Sequence, residues 1–389
     1  MDREFELAVT DHLLELVTAR TSDLAAAAYE VPVEVYTDPE HARRERQTLF
    51  RATPVLAALS CELPQPGDFK ALTLVDTPLL LIRDDAGNVG AFLNACRHRG
   101  MKLADDGLGR ADKVTCPYHA WSYGRDGALA GVPRGPQGFP GLNREEHGLR
   151  PVAVAERHGM IWVRIDSPTG PSESIDIDAF LGDFGPELAR WNMQTWHFQD
   201  AKIHHAKANW KLALEGFTEN YHVEFLHKGT LDQIAKSYGM SHRAFGDHQR
   251  MGYPNHPIDA LAGQPREEWE PLKVGAISFI MHLFPNTVLA LFYDHFEIFQ
   301  ILPGPTADSS VTIQNFYTPA PVPEDEREEL SGRFQFVYDL LQAEDYWAIQ
   351  QTQQTLTSGA NSTLLFGRQE IPLHVLHDSC AKHLAGGRA

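Results

Sequence analysis

The stretch LNACRHRGMKLADDGLGRADKVTCPYHAW, residues 93–121, contains two of the chain's four cysteines, each close to a histidine. Cys96 precedes His98 by two positions, and Cys116 precedes His119 by three. Seventeen residues separate the first pair from the second. Each pair therefore offers a metal one sulfur and one nitrogen ligand.

The alternation of cysteine and histidine favours a two-iron cluster in which one iron takes both thiolates and the other takes both imidazoles. A zinc finger instead groups its cysteines first and its histidines later, and a helix usually follows. Neutral imidazoles leave the cluster less negative, so its reduction potential rises and it can relay single electrons. The spacing alone leaves a zinc ribbon, or two unrelated Cys/His pairs, as open alternatives.

The residues that flank the ligands extend the two pairs to CRHRG and CPYHAW. Both motifs resemble the two loops of a Rieske [2Fe–2S] domain, and their separation is typical of that family. The resemblance implies that Cys96 and Cys116 bind one iron, and that His98 and His119 bind the other.

A second group of potential ligands lies in NWKLALEGFTENYHVEFLH, residues 209–227. On a helix, Glu219 and His222 share a face because three residues separate them. His227 is five positions beyond His222, so both imidazoles reach one metal only if the helix ends or opens between them. Two histidines and a carboxylate on one side of an iron leave positions free for O₂. Taken alone, this spacing favours a polar helix face with two unrelated histidines.

Together with the Rieske-like loops, the stretch resembles the catalytic domain of Rieske non-heme iron oxygenases, the α subunits of ring-hydroxylating enzymes. The resemblance implies that His222 and His227 bind a mononuclear iron. It also implies that Glu219 bridges one of these histidines to a Rieske histidine of a neighbouring subunit. The chain departs from the family pattern at Glu219, where Asp is commoner, and at Gly216, where Asn is usual. With Glu at this position the chain resembles the family members that act on quaternary amines.

The third iron ligand is expected from a later helix. In LLQAEDYWAIQQTQ the resemblance implies Asp345. Glu344 and Asp339 are competing candidates for this ligand. The alternative is that none of these acidic residues binds metal and that they form a solvated helix face. Residues 333–356 are predicted to be helical, with Gly332 interrupting the helix just before them.

Residue patterning divides the chain into three predicted segments. Residues 1–44 have apolar residues at helical spacing and are expected to pack on the catalytic domain. Residues 45–165 contain short strands broken by turns such as DDAGN, 84–88, and are expected to form the Rieske domain. Residues 166–389 mix helices and strands and begin with a linker-like stretch at 166–174. We predict an α+β protein with a small all-β Rieske domain and, as the resemblance implies, a larger catalytic domain with an antiparallel sheet and flanking helices.

The resemblance implies an O₂-dependent oxygenase component that hydroxylates a small, largely apolar aromatic or alicyclic compound at Fe(II). Electrons would come from NAD(P)H through a separate ferredoxin or flavin reductase and the [2Fe–2S] cluster. A homotrimer and a role in aromatic compound catabolism are also implied. Oxidative N- or O-dealkylation, including that of a quaternary amine, stays open. A Rieske electron carrier without oxygenase activity is a remoter alternative.

Composition argues against several classes of partner. The formal net charge of −18 disfavours a nucleic-acid surface, which needs clustered Lys and Arg. Apolar runs such as ISFIMHLF are too short to span a bilayer. Four unevenly spaced cysteines do not form a disulfide framework, and the first residues do not resemble a secretory signal. The sequence therefore predicts a cytoplasmic protein with reduced thiols, no nucleic-acid partner and no membrane association.

Overall fold

A computed structural model describes residues 2–166 and 174–386 of the chain. These residues fall into two compact units. The smaller unit comprises Phe50–Phe180 and Asn192–Thr195, and the larger comprises Met1–Leu49, Leu181–Trp191 and Trp196–Ala389. Most of the predicted linker, residues 167–173, lies outside the described residues. The predicted domain boundaries at 44 and 165 stay predictions.

The helices and strands are as follows. The helices are α1 (Arg3–Ala19), α2 (Glu34–Thr37), α3 (Pro39–Glu45), α4 (Gly135–Gly138), α5 (Ile177–Leu181), α6 (Phe184–Ala189), α7 (Trp210–Thr218), α8 (Val223–Leu226), α9 (Ile258–Leu261), α10 (Arg327–Ala343), α11 (Asp345–Leu356) and α12 (Ile371–Leu384). The strands are β1 (Tyr29–Pro32), β2 (Val55–Leu59), β3 (Asp68–Leu74), β4 (Thr77–Arg83), β5 (Val89–Leu93), β6 (Gly107–Arg110), β7 (Val114–Thr115), β8 (Ser122–Tyr123), β9 (Leu129–Gly131), β10 (Ala153–Arg157), β11 (Met160–Arg164), β12 (His197–Ala206), β13 (Ser241–Phe245), β14 (His248–Pro254), β15 (Ile277–Leu283), β16 (Thr287–Leu291), β17 (Phe296–Pro303), β18 (Ser310–Thr318) and β19 (Thr363–Phe366).

The smaller unit consists of three antiparallel sheets, with strand orders β10-β11-β2, β5-β4-β3-β6 and β7-β8-β9. Strands β3 and β4 form a tight hairpin, in which Val75 and Asp76 have φ of 46° and 59°. Two successive positive φ values match the two-residue turns that join right-twisted strands. The cysteine-bearing loops follow β5 and β7 and pack onto a core that includes Leu80, Phe92 and Trp121.

The larger unit is built on a seven-stranded antiparallel sheet with strand order β12-β18-β17-β16-β15-β14-β13. Every residue of β14, β16 and β17 is buried, as expected for strands covered on both faces. Helices α1 and α7 pack against this sheet, and a separate two-stranded sheet pairs β1 with β19. The predicted α+β class is therefore confirmed. No helix in the described part of the chain combines the length and apolar character needed to cross a membrane.

The Asn-Trp-Lys motif fixes the start of α7. The side chain of Asn209 accepts a hydrogen bond from the backbone N–H of Lys211 and caps the helix. Trp210 Nε1 and Lys211 Nζ both donate to the carboxylate of Glu45 on α3, at 2.9 and 2.6 Å. The side chains of Lys211 and Glu45 are each 1% exposed. Helix α7 is thus anchored at its N-terminus, and its other end leads directly to the predicted iron ligands.

Lys211→Met is expected to destabilise the protein by about 3–5 kcal/mol, because it leaves the buried carboxylate of Glu45 without its ammonium partner. Burial opposes the charged form of Glu45, but Lys211 and His41 outweigh it and lower the pKa of that carboxyl. Denaturant unfolding measures the change. The matched control is Lys273→Met, which breaks an exposed pair with Glu270 and should have little effect. Equal effects of the two substitutions would contradict this account.

Candidate metal centres

The two cysteine-bearing loops share one backbone construction. In each loop the cysteine N–H donates to the carbonyl five residues further on, at 2.8 Å in both cases. The N–H groups of Gly100 and Ala120 donate back to the carbonyls of Cys96 and Cys116 at 2.8 and 3.0 Å. Gly100 and Ala120 both have positive φ, 75° and 54°. The two loops therefore turn in the same way and present their ligands alike.

The loops bury the two sulfurs and leave the two imidazoles accessible. Cys96 and Cys116 are 4% and 2% exposed, whereas His98 is partly exposed and His119 is exposed. The ring centroids of His98 and His119 lie 4.7 Å apart, and Trp121 stacks on His98 at 4.9 Å. This donor set fits a two-iron cluster with thiolates on the inner iron and imidazoles on the outer one.

Tyr123 contacts one of the predicted cluster ligands, although the sequence did not indicate it. Its hydroxyl lies 3.3 Å from Cys96 Sγ and accepts a hydrogen bond from the backbone N–H of Arg97 at 2.8 Å. Hydrogen bonds to the sulfurs are among the factors that set the potential of an iron–sulfur cluster. In the sequence Tyr123 follows the CPYHAW motif by two residues, and this proximity is the one feature that could have pointed to it.

The structure brings His222, His227 and Asp345 together in the larger unit. One potential ligand atom from each lies within 4.8 Å of the others. Asp345 Oδ1 is 3.6 Å from Nε2 of His222 and 3.3 Å from Nε2 of His227. Asp345 Oδ2 is buried and has no hydrogen-bond partner. A buried carboxylate oxygen left in this way is costly unless a cation or ligand satisfies it.

A glutamate holds the other nitrogen of each imidazole. Nδ1 of His222 contacts Glu219 Oε1, and Nδ1 of His227 lies 2.5 Å from Glu344 Oε2. Glu344 also accepts a hydrogen bond from the Thr230 hydroxyl at 2.9 Å. Carboxylates in this position fix the tautomer of a metal-binding histidine and increase its basicity. Both Nε2 atoms are thereby left to face Asp345.

A helix break separates the roles of Glu344 and Asp345. Helix α10 ends at Ala343, α11 begins at Asp345, and Glu344 between them has φ −112° and ψ −71°. The predicted interruption at Gly332 is wrong, because α10 continues through it. One glycine costs a helix only about 1 kcal/mol relative to alanine. The other competitor, Asp339, accepts a hydrogen bond from an exposed glutamine and does not reach the triad.

Residues 219–222 are not helical, which corrects the prediction that Glu219 and His222 share a helix face. Helix α7 ends at Thr218, and Glu219 is extended, with φ −133° and ψ 163°. The Glu219 carboxylate instead accepts the backbone N–H groups of Tyr221 and His222 just before α8 begins. These contacts close a turn over residues 219–222, ahead of the α8 N-cap residue His222. The turn brings the carboxylate to the imidazole, and His227 follows directly after α8.

Carboxylates dominate the electrostatics of the triad. Burial opposes protonation of His222, but Glu219 and Asp345 outweigh it and raise the pKa of that imidazole. For His227, burial is likewise outweighed by Asp345 and Glu344, which raise its pKa. Surroundings that favour positive charge on both rings also favour a divalent cation between them. Two nitrogens and one oxygen are a donor set that suits ferrous iron.

Two cavities border this group of side chains. The larger, about 940 Å³, is lined by all three members of the triad and by mainly aromatic and aliphatic walls. The smaller, about 330 Å³, borders Glu219, His222 and Asp345. Gly216 borders both cavities, and a Cβ atom added there would meet nothing within 4 Å apart from its chain neighbours and the backbone of its own helix. Glycine in place of the usual asparagine therefore leaves open space beside the triad.

Glu344→Gln is expected to lower the affinity for mononuclear iron by about 10–100-fold. The neutral amide holds the Nδ1–H of His227 less strongly and no longer increases the basicity of the ring. Iron retention against a chelator measures the effect, with cluster absorbance as the internal reference. Asp339→Asn, which changes a neighbouring exposed carboxylate, is the matched control and should retain iron. Full retention of iron in Glu344→Gln would show that this carboxylate does not support the metal.

Both units match known families. Residues 193–386 match the family model for the ring hydroxylating alpha subunit (catalytic domain), and residues 53–146 match that for the Rieske [2Fe-2S] domain. The glycine betaine monooxygenase oxygenase subunit of Chromohalobacter salexigens is 31% identical over 230 residues, covering 58% of this chain and 48% of that protein. The anthranilate 1,2-dioxygenase large subunit of Burkholderia cepacia is 32% identical over 209 residues, covering 51% and 47%. The chain spans about half the length of these curated relatives.

A solved structure extends the likeness over nearly the whole chain. The quaternary ammonium Rieske monooxygenase CntA in complex with L-carnitine superposes with a TM-score of 0.75 and 21% sequence identity. The superposition covers 93% of this chain and 96% of that one. At this level of identity the likeness shows a shared fold.

Proposed function

Because the chain belongs to the Rieske non-heme iron oxygenases, as a ring-hydroxylating α subunit, we propose that it is an O₂-dependent oxygenase component. Its substrate is a small, largely apolar organic compound, aromatic or alicyclic. The observation that carries the proposal is the His222, His227 and Asp345 triad in the wall of a cavity of about 940 Å³. When bound, ferrous iron offers open positions for O₂ and the [2Fe–2S] cluster supplies single electrons.

Each residue of the proposed iron site has a distinct task. His222 and His227 present Nε2 to the metal, and Asp345 presents its carboxylate from the first turn of α11. Glu219 and Glu344 hold the two rings by Nδ1 and keep Nε2 available. The apolar walls of the cavity exclude water and orient the substrate beside the triad.

Glu219 is assigned to the electron route between a cluster and the mononuclear iron. Its Oε1 contacts His222, and its Oε2 accepts backbone N–H groups. A carboxylate has about four acceptor positions, so Glu219 retains capacity for one more donor. The N–H of a Rieske histidine from a second subunit is a suitable donor. A head-to-tail homotrimer, which closes into a ring, provides such a contact at every interface.

The electron donors are proposed from the family pattern. A ferredoxin or flavin reductase passes electrons from NAD(P)H to the cluster. The formal net charge of −18 favours attraction to a basic face on such a partner. A role in aromatic compound catabolism and a cytoplasmic location stay predictions.

Substrate-dependent O₂ uptake tests the proposal. The iron-loaded protein, with a surrogate ferredoxin and reductase, is screened against aromatic acids, arenes, alicyclic compounds and N- or O-methyl compounds. Products are then identified by mass analysis. We expect at least one class to couple O₂ uptake to the gain of one or two oxygen atoms. Reduction of the cluster without O₂ uptake for any class would instead support an electron carrier.

Oxidative dealkylation is the second candidate. Two observations favour it: Glu219 occupies a position where Asp is commoner in the family, and a curated relative is named a glycine betaine monooxygenase. Hydroxylation of a carbon next to nitrogen or oxygen gives a product that separates into an aldehyde and an amine or alcohol. Formaldehyde release from N- or O-methyl compounds distinguishes this outcome from ring hydroxylation.

A further inference from the structure

Glu297 places a buried carboxyl group in the wall of the larger cavity. It lies on β17 and is 2% exposed. Across the sheet its partners are Ala290 on β16 and Phe316 on β18, and Ile280 lies opposite Ala290 on β15. Residues that face one another in this way project from the same side of a sheet. The carboxyl group is therefore the one polar side chain among these four residues, and the row ends at the exposed Asp200 on β12.

A chain of hydrogen-bonded polar side chains, in which Gln314 and His204 are fully buried, leads to this carboxyl. Gln314 Nε2 donates to Glu297 Oε2 at 2.6 Å. His204 Nε2 lies 2.7 Å from Gln314 Oε1, and Gln342 Nε2 lies 2.5 Å from His204 Nδ1. Burial lowers the pKa of His204, so its ring is neutral and has one N–H to donate. With that N–H on Nε2, every donor in the chain is directed towards Glu297, which favours negative charge there.

The carboxyl group has acceptor capacity that the chain does not use. A carboxylate has about four acceptor positions. In the described part of the chain, Gln314 is the one side chain that hydrogen-bonds to Glu297. Burial raises the pKa of Glu297, although His295 and the hydrogen bond from Gln314 act in the opposite direction. The group thus lacks a donor on its cavity side.

The cavity's basic side chains are already paired with other acids. Lys273 Nζ donates to Glu270 at 2.7 Å. Arg333 and His295 both contact Asp294, at 2.8 and 2.7 Å. Several of the remaining wall residues are aromatic, and aromatic faces attract cations. A hydrogen-bond donor for Glu297 is therefore expected to come from the ligand.

We propose that Glu297 determines specificity by accepting an N–H from a protonated alkylamine in the substrate. This inference rests on the proposed function only in taking the larger cavity as the substrate site. It narrows the substrate to a largely apolar compound whose ammonium group keeps at least one N–H. A quaternary ammonium has no N–H to donate, and a neutral hydrocarbon has neither charge nor donor.

Ligand binding tests this inference without turnover. Equilibrium dialysis under anaerobic conditions compares N,N-dimethylbenzylamine, which is protonated at pH 7, with its neutral isostere isobutylbenzene and with benzyltrimethylammonium. A charge-assisted hydrogen bond is worth on the order of 10–100-fold in affinity. We expect the protonated amine to bind the wild-type protein more tightly than both other compounds by about that factor.

Glu297→Gln should remove this preference by weakening the amine on the order of 10–100-fold while leaving isobutylbenzene unchanged. The amide can still accept from Gln314, and unchanged iron content and thermal midpoint confirm the fold. The matched control is Glu329→Gln, an exposed acid that borders the same cavity, which should keep the preference. If Glu297→Gln does not fold, the comparison of the three compounds on the wild-type protein still tests the inference.

Four results would overturn the inference. The first is that the amine binds the wild-type protein no more tightly than isobutylbenzene does, and the second is that it binds Glu297→Gln as tightly as the wild type. The third is that benzyltrimethylammonium binds as tightly as the protonated amine. The fourth is that the preference disappears when the mononuclear iron is removed, which would mean that the metal binds the amine. Each is measured without O₂ or reductant, so failure of the oxygenase proposal itself remains a separate outcome.

Discussion

His227→Ala is expected to remove the mononuclear iron and abolish substrate-dependent O₂ uptake, while the spectrum of the cluster stays unchanged. Nε2 of His227 lies 3.3 Å from Asp345 Oδ1, and its ring is held on the other side by Glu344. Removing one of three protein ligands leaves a site too weak to retain ferrous iron. The proposed cluster ligands belong to the other unit of the chain. Iron analysis and visible absorbance measure the two centres separately.

His205→Ala is the matched control, because this histidine lies on strand β12 with its side chain exposed. It should retain both the iron and O₂ uptake. Asp345→Asn keeps the size of the third ligand but removes its charge, so it should also lose iron. Retention of iron and activity by His227→Ala would mean that the triad is not the metal site. Loss of both in Glu344→Ala but not in Asp345→Ala would place the third ligand one residue earlier.

Glu219→Gln is expected to slow the transfer of electrons out of the reduced cluster by orders of magnitude while both metal centres remain loaded. The substitution keeps the size of the side chain but removes its charge and half of its acceptor capacity. The amide can still contact His222 Nδ1, and ferrous iron supplied in excess keeps the site loaded even when its affinity falls as expected for Glu344→Gln. Its interaction with a Rieske histidine of a neighbouring subunit would be weakened.

Single-turnover stopped-flow absorbance measures this effect on pre-reduced protein mixed with O₂ and a substrate found in the screen. Glu224→Gln, five residues along the chain and exposed, is the matched control and should reoxidise at the wild-type rate. Reduction of the cluster by its partner should be unaffected in both variants. Wild-type reoxidation in Glu219→Gln would show that electrons take another route. In that case Glu219 serves only to position His222.

The sequence predicted those parts of the sites whose residues are close together along the chain. The Cys/His pairs lie in two tight loops. Such loops can be predicted from the sequence because their turn residues and ligands have a fixed spacing. His222 and His227 flank the short helix α8, and their separation already required a helix end between them. The turn predicted at DDAGN, residues 84–88, separates β4 from β5 in the structure.

Residues that act across long sequence separations were not predicted. Glu344 meets His227 from 117 positions away, and periodicity along one helix carries no information about that contact. In the sequence, Glu297 is only one polar residue in a buried strand. Its hydrogen-bonded chain through Gln314 and His204 forms only when β12, β17 and β18 pair. The break at Glu344 rather than at Gly332 likewise depends on tertiary contacts that override local helix propensity.

Metal and sulfide analysis of the isolated protein, together with the EPR spectrum of its reduced form, tests the central claim most directly. The claim is that one chain binds both a Rieske cluster and a mononuclear iron. The account predicts a red-brown protein with three iron atoms and two acid-labile sulfides per chain and a Rieske-type signal. In His227→Ala the count should fall to two irons with the signal unchanged. Two irons in the fully loaded wild type, or a colourless protein that binds zinc without sulfide, would contradict it.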